Sequence, residues 1–368
     1  MADMNETPRG NRIHIAFFGL RNAGKSTLVN AFTGQELAIV SATPGTTTDP
    51  VSKAMEILPL GPCLVTDTAG LDDEGALGAQ RVAKTLKVLE TTDIAVWVFG
   101  EDGGAVDPRV RSAAAKNGTV LLEYRRGESV EALKARIAAV RPETAEAGLL
   151  DGLVEEGARV LLVCPIDESA PKGRLILPQQ QVLRECLDRH LTAAVCQPAE
   201  LSAMLAAFAP NLVVTDSQAF GEVRAALTAV APKVPLTSFS ILFARQKGDL
   251  AAYAEGLKAL DRLRDGDLVL VAEGCTHHRQ CKDIGTTKIP QTLEKLTGRK
   301  LRFVFASGAD FPLAGVAFAV QCGGCMLTRR EVLRRIGLCR AAEVPIVNYG
   351  LLLARGAGVG ALFRVAAP

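Results

Sequence analysis

Aromatic residues, long apolar runs and an excess of charge of either sign are all scarce in this chain of 368 residues. Aromatic residues make up 5% and the formal net charge is +2, which argues against nucleic-acid binding as the main function. No apolar run reaches the roughly 18 residues that span a bilayer, and residues 1–12 lack the apolar segment of a secretory signal. The composition therefore predicts a cytoplasmic protein with neither a nucleic-acid nor a membrane partner.

Cysteine is present, but its arrangement does not indicate a disulfide scaffold. Nine cysteines in a chain of this length include a C-x-x-C pair, which instead indicates a reducing compartment and metal binding. The length, together with 48% hydrophobic residues, predicts two or three domains with sizeable cores.

A phosphate-binding loop stands near the amino terminus. Residues 12–18 form a predicted strand, residues 19–26 read G-x-x-x-x-G-K-S, and a predicted helix begins at residue 27. The glycines let backbone amides converge on phosphates, Lys25 supplies charge to the β- and γ-phosphates, and the Ser26 hydroxyl is expected to bind Mg²⁺. The predicted nucleotide-contacting residues of this loop are Gly19, Asn22, Ala23, Gly24, Lys25, Ser26 and Thr27.

Two switch-like segments follow in the order that nucleotide hydrolases use. Thr47 lies in Pro-Gly-Thr-Thr-Thr-Asp and is predicted to complete the magnesium shell when a γ-phosphate is present. Asp67 and Gly70 form D-x-x-G at a strand end, where Asp67 would hold Mg²⁺ through water and the Gly70 amide would reach the γ-phosphate. The predicted residues for hydrolysis are Lys25, Thr47, Asp67 and Gly70.

These segments resemble the GTPases of the tRNA-modification and ribosome-assembly group. In that group the counterpart of Asn22 accompanies a K⁺ ion beside the phosphates. The base-reading N-K-x-D motif is missing from this chain, and the polar segment Glu101–Gly118 is predicted to stand where a helix, a strand and that motif are lost. We therefore expect only a weak preference for GTP over ATP.

The middle of the chain, residues 149–264, alternates predicted strands and helices and carries no catalytic motif. Val234–Leu242 is predicted to be one of its strands. A motif-free α/β domain is expected to mediate association between chains.

The C-terminal third concentrates the thiol and imidazole groups. Cys275 and His277 follow one predicted strand, and Cys322 and Cys325 follow another, with Cys281 interpreted as a non-ligand. Thiolate and imidazole suit an iron–sulfur cluster or zinc, and buried core thiols are a third possibility. The basic helix Arg329–Ile336 is interpreted as a solvated face, with docking of an acidic partner or an anionic cofactor as the alternative.

The whole chain resembles the HydF family of FeFe-hydrogenase H-cluster maturation GTPases, except at Glu101–Gly118. The residues that carry the resemblance are Glu273-Gly-Cys-Thr-His-His278, Asp283-Ile-Gly, Lys288-Ile-Pro290, Cys322-Gly-Gly-Cys-Met326 and Pro345-Ile-Val-Asn-Tyr-Gly350. The resemblance implies an α/β scaffold of three domains: a P-loop GTPase-like domain (1–148), a dimerisation domain (149–264) and a 4Fe-4S cluster domain (265–368).

The same resemblance implies a set of ligands and partners. Cys275, Cys322 and Cys325 would bind the 4Fe-4S cluster, and His277 is the first candidate for an exchangeable fourth ligand. A homodimer would receive a di-iron precursor made by radical S-adenosylmethionine maturases and deliver it to apo FeFe-hydrogenase. GTP, Mg²⁺ and K⁺ are the other expected cofactors.

Two other functions stay open at this point. A ribosome-assembly or tRNA-modification GTPase would need a basic surface for nucleic acid. An electron-transfer protein with a vestigial nucleotide domain would need four fixed cysteine ligands. A radical S-adenosylmethionine enzyme is disfavoured because the chain has no C-x-x-x-C-x-x-C run.

Overall fold

The computed structural model of the chain describes residues 7, 9–34, 51–73, 75–101, 103–140, 148–166, 175–274, 284–308 and 310–358, without the side chains of residues 75–77. It divides into two compact units, Met1–Ala145 and Glu146–Pro368. Both units are α/β, as predicted. None of the helices in these described ranges is long and apolar enough to cross a bilayer.

The first unit contains one sheet with helices around it. Its strands are β1 Ile13–Phe18, β2 Val51–Ile57, β3 Gly61–Asp67, β4 Ile94–Val98 and β5 Val120–Tyr124, and its helices are α1 Lys25–Thr33, α2 Gly75–Leu89, α3 Pro108–Asn117 and α4 Val130–Ala139. The strand order is β2-β3-β1-β4-β5, with β2 antiparallel and the others parallel. The central strands β1 and β4 are buried on both faces, as their apolar sequences indicate.

The prediction that Glu101–Gly118 lacks a helix was wrong, because α3 lies within it. Asp107 caps this helix by accepting a hydrogen bond from the Arg109 amide at 2.8 Å, and Pro108 occupies the first turn. Val110 and Ala114 are buried, so a short apolar stripe suffices to attach a polar helix. Because β5 pairs with β4, the loop after β5 shares a sheet edge with the phosphate loop.

The second unit contains two sheets, which agrees with the predicted three-domain layout, while the exact domain boundaries stay predictions. The middle sheet comprises β6 Arg159–Val163, β7 Thr192–Cys196, β8 Leu212–Thr215 and β9 Leu236–Ser238, and the C-terminal sheet comprises β10 Leu268–Glu273, β11 Arg302–Ser307, β12 Phe318–Gln321 and β13 Ile346–Asn348. The helices are α5 Leu177–Asp188, α6 Leu201–Phe208, α7 Phe220–Val230, α8 Phe239–Lys247, α9 Leu250–Ala259, α10 Ile289–Thr297, α11 Arg329–Ala341 and α12 Tyr349–Gly356.

The two sheets of the second unit share one topology. Their strand orders are β7-β6-β8-β9 and β11-β10-β12-β13, and every pairing is parallel. Each ends in a short strand followed at once by a helix, capped by the side chain of Ser238 in one case and Asn348 in the other. In parallel sheets the carboxyl ends of the strands lie at one edge, which is where α/β proteins place their sites.

The prediction of a strand over Val234–Leu242 was therefore only partly right. The strand ends at Ser238, whose hydroxyl accepts a hydrogen bond from the Ile241 amide at 3.3 Å and starts α8. The first six residues of α8 read Phe-Ser-Ile-Leu-Phe-Ala, and all of them except the serine are buried, so periodicity cannot distinguish this short, mostly apolar stretch from a buried strand.

Candidate functional site

The phosphate loop joins β1 to α1 and depends on its glycines. Gly24 adopts a φ of 84° at the start of α1, a conformation that favours glycine. A Cβ built on Gly19 would lie 2.5 Å from the Val98 carbonyl oxygen, so any side chain there would force the loop away from β4. Asn22 also has a positive φ of 60°, which asparagine tolerates better than most residues. Ala23 is buried under the loop, whereas Thr27 is exposed on α1.

The Lys25 side chain folds back over this loop. It is only 7% exposed, and its Nζ donates to the Leu20 carbonyl at 2.7 Å and to the Gly19 carbonyl at 3.3 Å. Burial lowers the pKa of this ammonium group, and the nearby Asp67, Asp72 and Asp73 oppose that shift. A buried cation in the turn of the loop is suited to an anionic ligand such as a polyphosphate.

The two predicted magnesium-binding residues lie together: Ser26, predicted to bind Mg²⁺ directly, and Asp67, predicted to bind it through water. The Ser26 hydroxyl donates to Asp67 Oδ2 at 2.6 Å, because Asp67 ends β3 beside the start of α1. Asp67 is 2% exposed, and its Oδ1 has no hydrogen-bond partner among the described residues. Burial raises the pKa of Asp67, whereas Ser26 and Lys25 lower it. A hydroxyl beside a buried carboxylate with a spare oxygen fits Mg²⁺.

The second switch-like segment, which contains Asp67 and Gly70, lies against the phosphate loop. Gly70 is buried, and a Cβ built on it would lie 2.8 Å from the backbone nitrogen of Arg21. That nitrogen donates to Asp72 Oδ1, so Asp72 is a site residue that the sequence analysis missed. The acidic pair Asp72-Asp73, one residue beyond D-x-x-G, was the available signal. Thr47 lies outside the described residues.

The loop after β5 occupies the place where a base-reading motif would lie. It carries Arg125, whose guanidinium carbon lies 4.2 Å from the centre of the Phe99 ring, and Arg126, which pairs with Glu101. This loop reads Arg-Arg-Gly-Glu at residues 125–128, so it offers a cation stacked on an aromatic ring and has no asparagine, lysine or aspartate.

The C-terminal cysteines lie at the carboxyl edge of the C-terminal sheet. Gly274 follows β10, and its amide donates a hydrogen bond to Cys322 Sγ at 3.1 Å. The Cys322 amide donates to the Ala272 carbonyl at 3.0 Å. The chain immediately before Cys275 therefore contacts the first thiol of the C-x-x-C pair. Cys275 and His277 themselves lie outside the described residues, as does Cys281.

A tight turn joins Cys322 to Cys325, and both are partly exposed free thiols. Gly324 adopts a φ of 73°, and the Leu327 amide donates to its carbonyl at 3.0 Å. A Cβ built on Gly323 would lie 3.0 Å from Ser240 Oγ, so glycine lets this turn approach α8 closely.

Lys247, the last residue of α8, holds this turn from the middle domain. The side chain is 0% exposed, and its Nζ donates to the Leu327 carbonyl at 2.8 Å and to the Gly324 carbonyl at 3.5 Å. It also lies 5.3 Å from the Phe243 ring. Burying an ammonium group costs several kcal/mol unless hydrogen bonds or nearby negative charge offset the loss of water. Sequence reasoning missed Lys247, because nothing near it in the chain marks it as functional.

The interpretation of the basic helix as a solvated face was wrong in part. Arg335 lies within α11 and is 0% exposed, with its Nε donating to Glu331 Oε1 at 2.9 Å. Its Nη2 donates to the Gly308 carbonyl, and its guanidinium carbon lies 5.2 Å from the centre of the Phe311 ring. The helix therefore turns one arginine inward, towards the strand ends of the C-terminal sheet.

The donor chemistry of the cysteine turn fits a metal cluster. Burial raises the pKa of the Cys325 thiol to about 11, and the charge of Lys247 opposes this shift. Burial also raises the pKa of the Cys322 thiol, and the charge of Arg335 opposes that shift. Two soft donors on one turn, with a backbone amide on one sulfur, suit iron–sulfur or zinc binding. Within the described ranges no three His, Cys, Asp or Glu residues converge as a metal site, so the predicted ligand set depends on Cys275 and His277.

Five other cysteines lie within the described ranges. Cys63, Cys164, Cys186 and Cys339 are buried, and Cys196 is partly exposed. They belong to the cores and edges of the three sheets, as expected for inert thiols.

Three family models match successive parts of the chain. The 50S ribosome-binding GTPase model matches residues 14–125, the hydrogen maturase F dimerization domain matches residues 149–248, and the hydrogen maturase F tetramerization domain matches residues 251–368. The two hydrogen maturase F domains together extend over the middle and C-terminal sheets.

Curated relatives resemble mainly the first unit. The tRNA modification GTPase MnmE of Methylobacterium sp. (strain 4-46) is 41% identical over 115 residues, which is 30% of this chain and 26% of that protein. GTPase Der of Xylella fastidiosa (strain M23) is 43% identical over 108 residues, 28% of this chain and 23% of that protein. This chain thus spans about a quarter of the length of the relatives that it matches.

Among solved structures, a single-residue variant of Era from Aquifex aeolicus bound to GDP.AlF4- aligns with 80% of this chain and 93% of its own. The sequence identity is 15% and the TM-score is 0.26, which is too low to show a shared overall fold.

Proposed function

The chain belongs to the hydrogen maturase F family of hydrogenase maturation GTPases, and on this premise we propose that it is a nucleotide-hydrolysing scaffold that carries a 4Fe-4S cluster. The scaffold would hold a di-iron precursor and deliver it to apo FeFe-hydrogenase. The family membership rests on matches to both hydrogen maturase F domains and to a GTPase domain.

One contact carries the cluster proposal: the hydrogen bond from the Gly274 amide to Cys322 Sγ at 3.1 Å. Gly274 directly precedes Cys275, and one peptide link moves the chain by about 3.8 Å. The third thiol of the proposed ligand set is thus covalently tied to a residue that contacts the first. Cys275, Cys322 and Cys325 would bind three irons, leaving the fourth iron to an exchangeable ligand, for which His277 is the first candidate.

An exchangeable corner is the chemical property that a carrier needs, since the cargo must bind and then leave. The cluster would supply that iron. The chain's own residues provide the turn, the amide bonded to sulfur and the buried cations around it. A redox protein with four permanent ligands, the electron-transfer alternative, would not respond to an added neutral ligand.

In the nucleotide site we propose that Lys25 binds the phosphates, while Ser26, Thr47 and Asp67 bind Mg²⁺. The Gly70 amide would bind the γ-phosphate, and Asn22 would share a K⁺ ion with the phosphates. Hydrolysis would change the contacts of the switch segments and so the affinity for protein partners. Ser26→Ala should remove most of the Mg²⁺ dependence of GTP binding, whereas unchanged Mg²⁺ dependence would contradict these roles.

Association of chains is the proposed role of the middle domain, in agreement with the dimerization model that matches it. Val195 is exposed on β7, the edge strand of the middle sheet. The apolar side chains of Ile166 and Leu187, in the segments around β6 and β7, are exposed as well. Edge strands offer unpaired backbone groups to a second copy. The radical S-adenosylmethionine maturases and apo FeFe-hydrogenase are the proposed transient partners of the homodimer.

The decisive experiment is anaerobic reconstitution with iron and sulfide, followed by iron analysis and EPR. Cys275→Ala, Cys322→Ala and Cys325→Ala should each lose most of the bound iron, whereas the buried-thiol control Cys339→Ala should retain it. Added imidazole should change the EPR spectrum of the wild-type cluster.

Three outcomes would contradict the proposal. Stoichiometric zinc without iron would remove the cluster. An EPR spectrum indifferent to imidazole would favour electron transfer. Iron uptake unaffected by Cys275→Ala would show that another ligand, with Cys281 the next to test, completes the set.

A further inference from the structure

Arg335 has a nitrogen that no described group satisfies. Its Nε and Nη2 are bonded to Glu331 and to the Gly308 carbonyl, but the buried Nη1 has no hydrogen-bond partner among the described residues. A guanidinium is always charged and planar, so two fixed bonds determine where its third nitrogen lies. A fully buried, charged donor without an acceptor is costly, which points to an anion at this position.

Two backbone contacts place this guanidinium beside the cysteine segments. Gly308 follows β11, and its amide donates to the Glu273 carbonyl at the end of β10, at 3.2 Å. Arg335 therefore bonds to the loop that adjoins Glu273 and Gly274. Burial raises the pKa of the Cys322 thiol, and the Arg335 charge acts in the opposite direction, as a cation close to that sulfur would.

A second buried cation approaches the same turn from another element. Lys247 comes from α8 of the middle domain, whereas Arg335 comes from α11 of the C-terminal domain. Glu331, the carboxylate bonded to Arg335, is shared with Arg334, whose Nε and Nη2 donate to it at 2.7 and 2.9 Å. Glu331 therefore contacts two guanidinium groups, of which that of Arg335 is fully buried and that of Arg334 is partly exposed to solvent.

We propose that Arg335 is an anion-binding residue of the C-terminal site and that its Nη1 donates to an anionic ligand held on the exchangeable iron. This inference rests on the proposed cluster. It narrows the cargo to one that presents a negatively charged ligand to the protein, while Lys247 holds the cysteine turn through the Gly324 and Leu327 carbonyls.

The test compares a charged and a neutral ligand on reconstituted full-length protein. Four proteins are loaded with iron and sulfide: wild type, Arg335→Met, Arg335→Lys and the control Arg334→Met. Cyanide or imidazole is then added in steps, and its binding to the cluster is followed by EPR. Arg335→Met should bind cyanide about tenfold more weakly, the scale of one lost charge interaction near a partly screened site, and should bind imidazole as wild type does. Its cluster potential should fall by about 60 mV, the one-electron equivalent of tenfold.

The two controls separate charge from packing. Arg334→Met removes the other arginine on Glu331 and should leave the cluster potential and both affinities unchanged. Arg335→Lys keeps the positive charge but lacks the planar guanidinium group. It should therefore preserve the cluster potential and weaken the binding of cyanide but not of imidazole. If Arg335→Met does not fold, the lysine variant decides the question: its cyanide affinity should fall relative to wild type while its imidazole affinity stays the same.

The failure of this inference is distinguishable from the failure of the proposed function. If wild type takes up no iron, the cluster itself is refuted. If all variants load iron and bind cyanide with equal affinity and equal potential, the acceptor of Nη1 belongs to the protein and the inference is overturned. Equal weakening of cyanide binding and imidazole binding would likewise overturn the inference, because a neutral ligand is weakened by distorted packing and not by a lost charge.

Discussion

Gly256 provides a sharp test of how closely α9 packs against the C-terminal sheet. It lies inside α9, which runs against β13, and a Cβ built on it would lie 2.6 Å from the carbonyl carbon of Ile346 and closer still to its oxygen. Gly337 lies inside α11, and a Cβ built there meets nothing within 4 Å. The two positions are matched in secondary structure and differ only in what surrounds them.

The expected free energies of unfolding follow from two opposing effects. Alanine stabilises a helix interior by about 1 kcal/mol relative to glycine. Forcing a methyl group into a packed site costs typically about 1–3 kcal/mol, and we expect the upper part of that range because the Ile346 backbone cannot move aside as a flexible side chain would. Gly256→Ala should therefore destabilise the second unit by about 1–2 kcal/mol, whereas Gly337→Ala should stabilise it by up to about 1 kcal/mol.

Thermal unfolding of the intact apo protein by calorimetry measures the difference. At about 2–4 °C per kcal/mol for a unit of this size, Gly256→Ala should lower Tm by about 2–8 °C and Gly337→Ala should raise it by up to about 4 °C. Trp97, the only tryptophan, is buried in the first unit, so its fluorescence transition should stay unchanged in both variants. An equal rise in Tm for both variants would show that α9 does not approach β13 this closely.

Three further predictions concern the first unit. Gly19→Ala should weaken GTP binding by more than about tenfold, because its Cβ would lie 2.5 Å from the Val98 carbonyl oxygen; unchanged affinity in a fluorescent-GTP titration would contradict the loop geometry. Burial holds the pKa of Cys63 at about 12, above its ordinary 9.0, so above pH 9 the unfolded chain releases a proton that the folded chain keeps, and stability should fall from pH 9 towards pH 12. Trp97 fluorescence in urea should show a shallower fall for Cys63→Ala, and an equal slope would refute the assignment. ATP should compete with GTP at comparable concentrations, because no amide or carboxylate of an N-K-x-D motif reads the guanine edge; a preference above about a hundredfold would show that residues 125–128 read the base in another way.

The nucleotide site was predictable because its chemistry is local. A phosphate loop needs a strand, a few glycines and a helix start in one short stretch, so Gly19, Gly24 and Lys25 are recognisable without a structure. The contact between Ser26 and Asp67 crosses 41 positions, yet the order of the motifs anticipated it. The predicted roles of Thr47 and of the K⁺ ion at Asn22 stay predictions.

The errors have a common physical cause, which is burial by distant parts of the chain. The first half of α8 is mostly apolar because it is buried, so this part of its sequence resembles a buried strand. In the opposite sense, α3 is polar and is attached by only a short apolar stripe, so its sequence resembles a loop. Neither case can be settled by periodicity, because the neighbours that decide it are remote in sequence.

By itself, the sequence determined the motifs, the α/β class and the pair of thiols at Cys322 and Cys325, because each depends on residues close together in the chain. Only the tertiary structure brought the Gly274 amide to the Cys322 sulfur and turned Lys247 and Arg335 inward. The Gly274–Cys322 and Lys247–Leu327 contacts join positions 48 and 80 residues apart, and the burial of Arg335 reverses the exposure expected of a basic helix. A charged side chain is buried only where the folded chain supplies partners from several elements at once, and no short stretch of sequence records that convergence.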